Sequence, residues 1–129
     1  MNGSFLLDTN IVIALFAGEA AILQTLQQAR EVFIPSITLG ELYYGAMKSG
    51  RAEANTLRIS EFARSNTILT CDSSTALHYG NIKADLKAKG RPIPENDIWI
   101  AAIALQNNLT LVTRDAHLKE IEGLSLERW

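Results

Sequence analysis

Phe5-Leu6-Leu7-Asp8-Thr9-Asn10-Ile11-Val12-Ile13-Ala14-Leu15-Phe16 changes its period at residue 8. The unbroken apolar run Phe5-Leu6-Leu7 suits a short strand, and Ile11, Val12, Leu15 and Phe16 then recur at helical spacing. Asp8 stands at the junction, where a carboxylate can cap the new helix by accepting its free N–H groups. The stretch predicts strand, turn and helix, with an acid just past the strand's carboxyl end.

The alternation continues downstream. A helix is expected over Ala20 to Arg30, then a strand at Val32-Phe33-Ile34 closed by Pro35 and Ser36, with Ser36 placed to cap the helix that carries Glu41, Leu42 and Tyr43. Gly50 interrupts the chain before a helix over Ala52 to Arg64, and Thr67-Ile68-Leu69-Thr70 forms a third strand. A long helix follows from Ser74 to Lys89. Gly90-Arg91-Pro92-Ile93-Pro94 is a loop, because each proline lacks a donor and forces its predecessor into extended geometry. The next helix is expected to open near Asp97. From Ile98 to Leu105 it is apolar nearly all round, the pattern of a central buried helix, until Asn107 and Asn108 end it. Leu109 to Val112 is a strand that ends at Thr113-Arg114-Asp115, and Leu124 to Leu126 a last short one. Short strands alternating with helices place the chain in the α/β class, with a central parallel sheet flanked by helices on both faces.

The chain has 129 residues, about half of them apolar, enough for one buried core and one domain over residues 1–129. No apolar run approaches the roughly 18 to 20 residues that span a bilayer, and Met1-Asn2-Gly3-Ser4 carries no basic segment; a cytoplasmic protein without a membrane partner is expected. Cys71 is the only cysteine, which excludes an intramolecular disulfide and speaks against a thiolate zinc site; its expected role is a small buried apolar residue. The formal net charge of −2 gives no general attraction to nucleic acid and argues against a nonspecific binder that works by neutralising many phosphates.

Four acids fall where such a sheet could bring them together: Asp8 after the first strand, Glu41 in the helix after the second, Asp97 at the buried helix, and Asp115 after a later strand. Ligand sites in open α/β sheets lie beyond the carboxyl ends of the strands. Each aspartate could instead be a helix cap, and Glu41 a solvent-facing helical position, although it lies in the apolar stretch Ile37 to Tyr44. Asp72, beside Ser73 and Ser74, is read as a cap or a solvated side chain, and Asp85, flanked by Lys83 and Lys87, as part of a charged face. Convergence of the four would raise some of their pKa values unless a cation met their charge. Carboxylate oxygens without cysteine or clustered histidine select Mg²⁺ or Mn²⁺, with Asp8 and Asp97 as principal ligands and Glu41 and Asp115 completing the set. Thr9 and Thr113 are candidate hydroxyl partners for water or carboxylates.

Leu7-Asp8-Thr9-Asn10 resembles the opening motif of PIN domains. Thr38-Leu39-Gly40-Glu41-Leu42 with Gly45 is similar to that family's second acidic block, Pro94-Glu95-Asn96-Asp97-Ile98-Trp99-Ile100-Ala101-Ala102 resembles the third, and Thr113-Arg114-Asp115-Ala116-His117 with Leu118 the fourth. The likeness continues to Gly123, Leu124 and Trp129. It departs at Leu118, where the family commonly has an aromatic residue. The resemblance to PIN domains of the VapC toxin type implies a PIN-like fold and a Mg²⁺- or Mn²⁺-dependent endoribonuclease that restrains translation. It also implies a VapB-type antitoxin partner and a homodimer.

Lys48, two helical turns after Glu41, together with Arg91 and Arg114 beside acidic blocks, could hold RNA phosphates, or be ordinary solvated charges; Arg114 could also pair with an acid. Tyr43, Tyr44 and Tyr79 could stack bases, meet a partner, or pack. His78 and His117 are isolated in sequence and expected to serve surface or packing roles. The helices around Ile11 to Leu26 are plausible walls for an antitoxin helix. Three rival readings remain. An aspartyl-nucleophile phosphotransferase is disfavoured because Asn10 stands where a second aspartate belongs. A catalytically silent PIN-like binding or scaffold protein would have lost acids that are all present here, and a nuclease for structured DNA would be separated by assaying both substrates.

Overall fold

The computed structural model describes residues 3–129; Met1 and Asn2, part of the segment without basic charge, lie outside the described residues. The chain runs β1 (Ser4–Leu7), α1 (Thr9–Phe16), α2 (Ala20–Gln28), β2 (Glu31–Pro35), α3 (Ser36–Lys48), α4 (Ala52–Arg64) and β3 (Thr67–Leu69). It continues with α5 (Ser73–Ala88), α6 (Glu95–Gln106), β4 (Thr110–Val112), a 3₁₀ turn (Ala116–Glu120) and β5 (Leu126–Glu127). The strands form one sheet in the order β3-β2-β1-β4-β5, with every neighbouring pair parallel.

β1 is central, and its three apolar residues divide between two cores. Phe5 and Leu7 pack with Ile11, Val12, Leu42, Ala46 and Ile59 of α1, α3 and α4, whereas Leu6 faces Ile82, Leu86, Ile100 and Ile103 of α5 and α6. A strand covered on both faces needs no polar side, which is why Phe5-Leu6-Leu7 reads as an unbroken apolar run. Helix α6 is buried on most of its circumference: Ile98, Ile100, Ala101, Ala102, Ile103 and Ala104 are all inaccessible. No single helix among the described residues is long and apolar enough to cross a membrane.

Several boundaries move for local reasons. Ser36 is the first residue of α3 rather than its cap, because Pro35 still pairs with Leu69 in the sheet and itself occupies the capping position without a side-chain bond. Helix α6 opens at Glu95, directly after Pro94, so Asp97 sits in the first turn instead of opening the helix. Ala29 is already extended, which stops α2 before Arg30. Gly123, with φ of +78°, carries the chain past Leu124, and pairing of Leu126 with Leu111 places β5 at Leu126–Glu127. Asp72 caps α5 in a reciprocal box with Thr75. Asp85 pairs with Lys89 at 3.3 Å, while Lys83 turns to Glu95. Cys71 is exposed, against expectation: it follows an edge strand and precedes the cap of α5, so nothing covers it. Leu118 is fully buried, so leucine fills the place where an aromatic residue is common.

Candidate active site

The sheet order reverses at β1. From there the chain moves through β2 to β3 on one side, then crosses to β4 and β5 on the other, opening a crevice beyond the carboxyl ends of β1 and β4. Leu7 pairs with Val112, and the N–H of Asp8 extends that ladder to the Val112 carbonyl at 3.0 Å. Asp8 and Thr113 thus emerge side by side. The Thr9 N–H donates to Asp8 Oδ1 at 2.8 Å, capping α1, and the Thr113 hydroxyl donates to Asp8 Oδ2 at 2.7 Å. Capping and membership of an acidic group are therefore not alternatives for Asp8, which is only 3% exposed.

Glu41 reaches the same crevice from α3. Its Oε1 accepts the Thr9 hydroxyl at 2.7 Å, and the buried Thr38 hydroxyl lies 3.1 Å from Thr9 Oγ1. Thr9 has a single hydroxyl proton and it is committed to Glu41, so Thr38 donates to Thr9 in turn. Asp97 enters from the first turn of α6, which packs against α3. Asp115 caps the 3₁₀ turn: its Oδ1 accepts the His117 N–H at 2.9 Å and lies 2.9 Å from His117 Nδ1. The Asp115 N–H donates to Thr113 Oγ1 at 3.0 Å.

The four acids feel one another. Asp97 is pushed up to about 6, first by burial and then by the charges of Asp8, Asp115 and Glu41, with His117 opposing. The Asp8 carboxyl is also raised, mainly by burial, against the lowering bonds from Thr113 and Thr9; Glu41 and Asp115 add to the rise. Among the described residues no lysine or arginine nitrogen lies within 4 Å of Asp8, Glu41 or Asp97. This is a charge deficit held in place by hydroxyl and amide donors. An all-oxygen set carrying uncompensated negative charge fits a hard divalent cation, although no three such groups among the described residues close into a ready-made cage.

Three residues beyond the predicted set belong to this arrangement. Asn10 donates from Nδ2 towards Asp8 Oδ2 and Thr113 Oγ1, both at 3.4 Å, and accepts the Arg114 N–H at 3.1 Å, tying the β1 turn to the end of β4. Thr38 supports Thr9. His117 acts on Asp97 and Asp115, and only its position two residues after Asp115 hinted at this. His78 lies on α5, which carries none of the four acids.

The candidate phosphate contacts divide. Arg114 holds Glu19 with both terminal nitrogens, at 2.7 and 3.2 Å, and donates from Nε to the Trp129 carbonyl at 3.2 Å, so it takes its acid-pairing alternative. Lys48 lies over the exposed Tyr44 ring, 4.4 Å from its centroid. Arg91 is exposed. Tyr44 also lines a shallow depression with Ile37, Gly40, Glu41 and Asn96. Tyr43 is committed to Ser60 at 2.8 Å, and Tyr79 stacks on Trp99 with ring centroids 4.0 Å apart.

Residues 5–124 match the family described as PIN domain. The chain is 43% identical over 130 residues to Ribonuclease VapC2 of Haemophilus influenzae, and 36% identical over 129 residues to the tRNA(fMet)-specific endonuclease VapC of Shigella flexneri, with 97% of each chain covered in both cases. Its fold is similar to a chain in the crystal structure of VapBC2 from Rickettsia felis bound to a DNA fragment from their promoter. That likeness has a TM-score of 0.90 at 32% identity and covers 100% of this chain and 99% of that one.

Proposed function

The chain belongs to the PIN-domain family, and on that premise we propose that it is a VapC-type toxin, an endoribonuclease that hydrolyses RNA phosphodiester bonds with Mg²⁺ or Mn²⁺ and so restrains translation. One observation carries this reading. The hydroxyls of Thr113 and Thr9 fix Asp8 and Glu41 at one carboxyl edge of the sheet, and the Asp97 carboxyl is pushed up to about 6, first by burial and then by the charges of Asp8, Asp115 and Glu41.

Asp8 and Asp97 would be the principal ligands of the ion, with Glu41 and Asp115 completing the set. An ion held there would supply Lewis-acid chemistry: polarisation of the scissile phosphate, a more acidic water, and charge stabilisation at the departing oxygen. The protein's own residues do the rest. Thr113 and the Thr9 N–H hold the two oxygens of Asp8 in one orientation; Oδ2 also faces Asn10 Nδ2, and Oδ1, with one bond, keeps a further lone pair for another partner. The Thr9 hydroxyl, itself backed by Thr38, fixes Glu41. Asn10 locks the β4 end against the β1 turn, so that Asp115 and Asp8 keep their spacing. Burial of Asp8 lowers the local dielectric and strengthens each of these interactions.

Tyr44, exposed beside Glu41 and backed by Lys48, supports stacking of an unpaired base next to the acids. A VapB-type antitoxin would neutralise the toxin. Ile13 and Leu23 stand 55% and 43% exposed on α1 and α2, and Phe16, Leu42, Ala46 and Ile59 line a nearby cleft, which supports an antitoxin helix seated along this side. A homodimer is part of the same reading.

The test is cleavage of structured RNA by purified protein with and without Mg²⁺ or Mn²⁺, beside Asp8→Asn and Asp97→Asn. Cleavage that persists in EDTA or in either variant rejects the proposed chemistry.

A further inference from the structure

Beyond the acids, the ends of β4 and β5 enclose a second recess of about 250 Å³, lined by Thr113, Asp115, Lys119, Glu127 and Arg128 among others. Thr113 and Asp115 belong to the acidic crevice as well, so the recess adjoins it. Its charges are not alike in freedom. Arg114 on its wall is held by Glu19, and Glu127 accepts the Trp129 indole N–H at 3.0 Å. Lys119 has no carboxylate within 4 Å among the described residues. Arg128 is anchored through Nη1 to the Arg114 carbonyl at 3.0 Å, a neutral acceptor that orients the guanidinium without cancelling its charge. Both are exposed.

We propose that Lys119 and Arg128 form a subsite for the RNA backbone, holding a phosphate that flanks the bond positioned at the acids. The inference rests on the nuclease reading and names where that substrate's chain runs. A protein of net charge −2 cannot attract RNA as a whole, and its acidic crevice repels it, so local cations must offset that repulsion. An oriented guanidinium matches a phosphate with two donors, and the lysine adds a mobile point charge. No base contact is implied: the subsite grips the backbone and leaves sequence choice elsewhere.

Binding of a fluorescein-labelled RNA stem-loop in EDTA, followed by anisotropy over a salt series, tests this without needing cleavage. Lys119→Gln and Arg128→Gln are each expected to weaken binding about three- to tenfold and to reduce the log–log salt slope by about 0.7, the loss of one single-strand phosphate contact. Arg64→Gln, which removes the same charge at the end of α4 where the chain enters β3, on the opposite edge of the sheet, should leave both quantities as in the wild type. In the cleavage assay the two variants raise KM and leave kcat within about twofold. Equal binding by wild type, Lys119→Gln and Arg128→Gln, or equal loss in Arg64→Gln, overturns the subsite. A wild type that binds but never cleaves RNA with Mg²⁺ or Mn²⁺ overturns the nuclease reading instead, while the binding losses still decide the subsite.

Discussion

The Thr113 hydroxyl donates to Asp8 Oδ2 at 2.7 Å, joining two strand ends that lie 105 residues apart in sequence. A hydrogen bond to a buried charged group is worth about 1.5–3 kcal/mol. Thr113→Val keeps the shape and removes the donor, leaving Asp8 raised by burial with less to oppose it. Cleavage should fall at least about tenfold, whereas Thr113→Ser, which restores the hydroxyl, should stay within about threefold. Equal activity in the valine and serine variants would show that the bond does nothing for the site.

Asp97 gives the metal-free protein a pH dependence of definite sign. Its carboxyl titrates at about 6 in the fold and at an ordinary 3.8 when unfolded, so between those values the folded chain binds more protons and stability falls as pH rises. In EDTA the urea midpoint should drop as pH rises from about 4 to about 6, and the raised Asp8 carboxyl adds to a fall of the same sign. Asp97→Asn should flatten that drop and stabilise the protein near neutrality. Asp72 and Glu95, held below their usual values by hydrogen bonds to Thr75 and Lys83, act the other way, and their effect is complete once pH has risen past their unfolded values of 3.8 and 4.5. A midpoint that rises across the window contradicts the acidic cluster.

Adding Mg²⁺ or Mn²⁺ should reverse that penalty. A ligand that binds only the folded state at about a hundred times its Kd stabilises by about 2.7 kcal/mol. Thermal melting should therefore shift upward with either ion in the wild type, and much less in Asp8→Asn. An unchanged melting temperature over a broad ion titration would remove the acids as a cation site.

Tyr44 tests the substrate side. Stacking of a base on an aromatic ring is worth about 1–3 kcal/mol, so Tyr44→Ala should raise KM for RNA at least about fivefold while Tyr44→Phe keeps it. Because the ring is 64% exposed, folding stability should hardly move. Loss of stability without a change in KM would make Tyr44 a packing residue.

Much of the fold is legible because it is written locally. The period change at Asp8, the doubly apolar strand, the all-round apolar helix after Pro94 and the break at Gly50 each arise from residues within a few positions of one another. The boundaries that shifted at Ser36 and Leu124 did so because strand register carried pairing one residue beyond what the chain alone announces. Cys71 shows the same limit: its burial depended on whether packing would reach past the end of the edge strand before α5, and Cys71 is exposed.

The chain by itself determined which acids stand at strand and helix ends, and hence that their charge could gather on one side of a parallel sheet. Only the tertiary structure decided which donors hold them: Thr113 on Asp8, Thr9 on Glu41, and His117 on Asp115. It alone turned Arg114 towards Glu19 and left Lys119 and Arg128 without a carboxylate within 4 Å among the described residues. Helix and strand preferences are short-range and repeat along the sequence, whereas hydrogen bonds and charges act across a few ångströms of space between residues that only packing and register bring together.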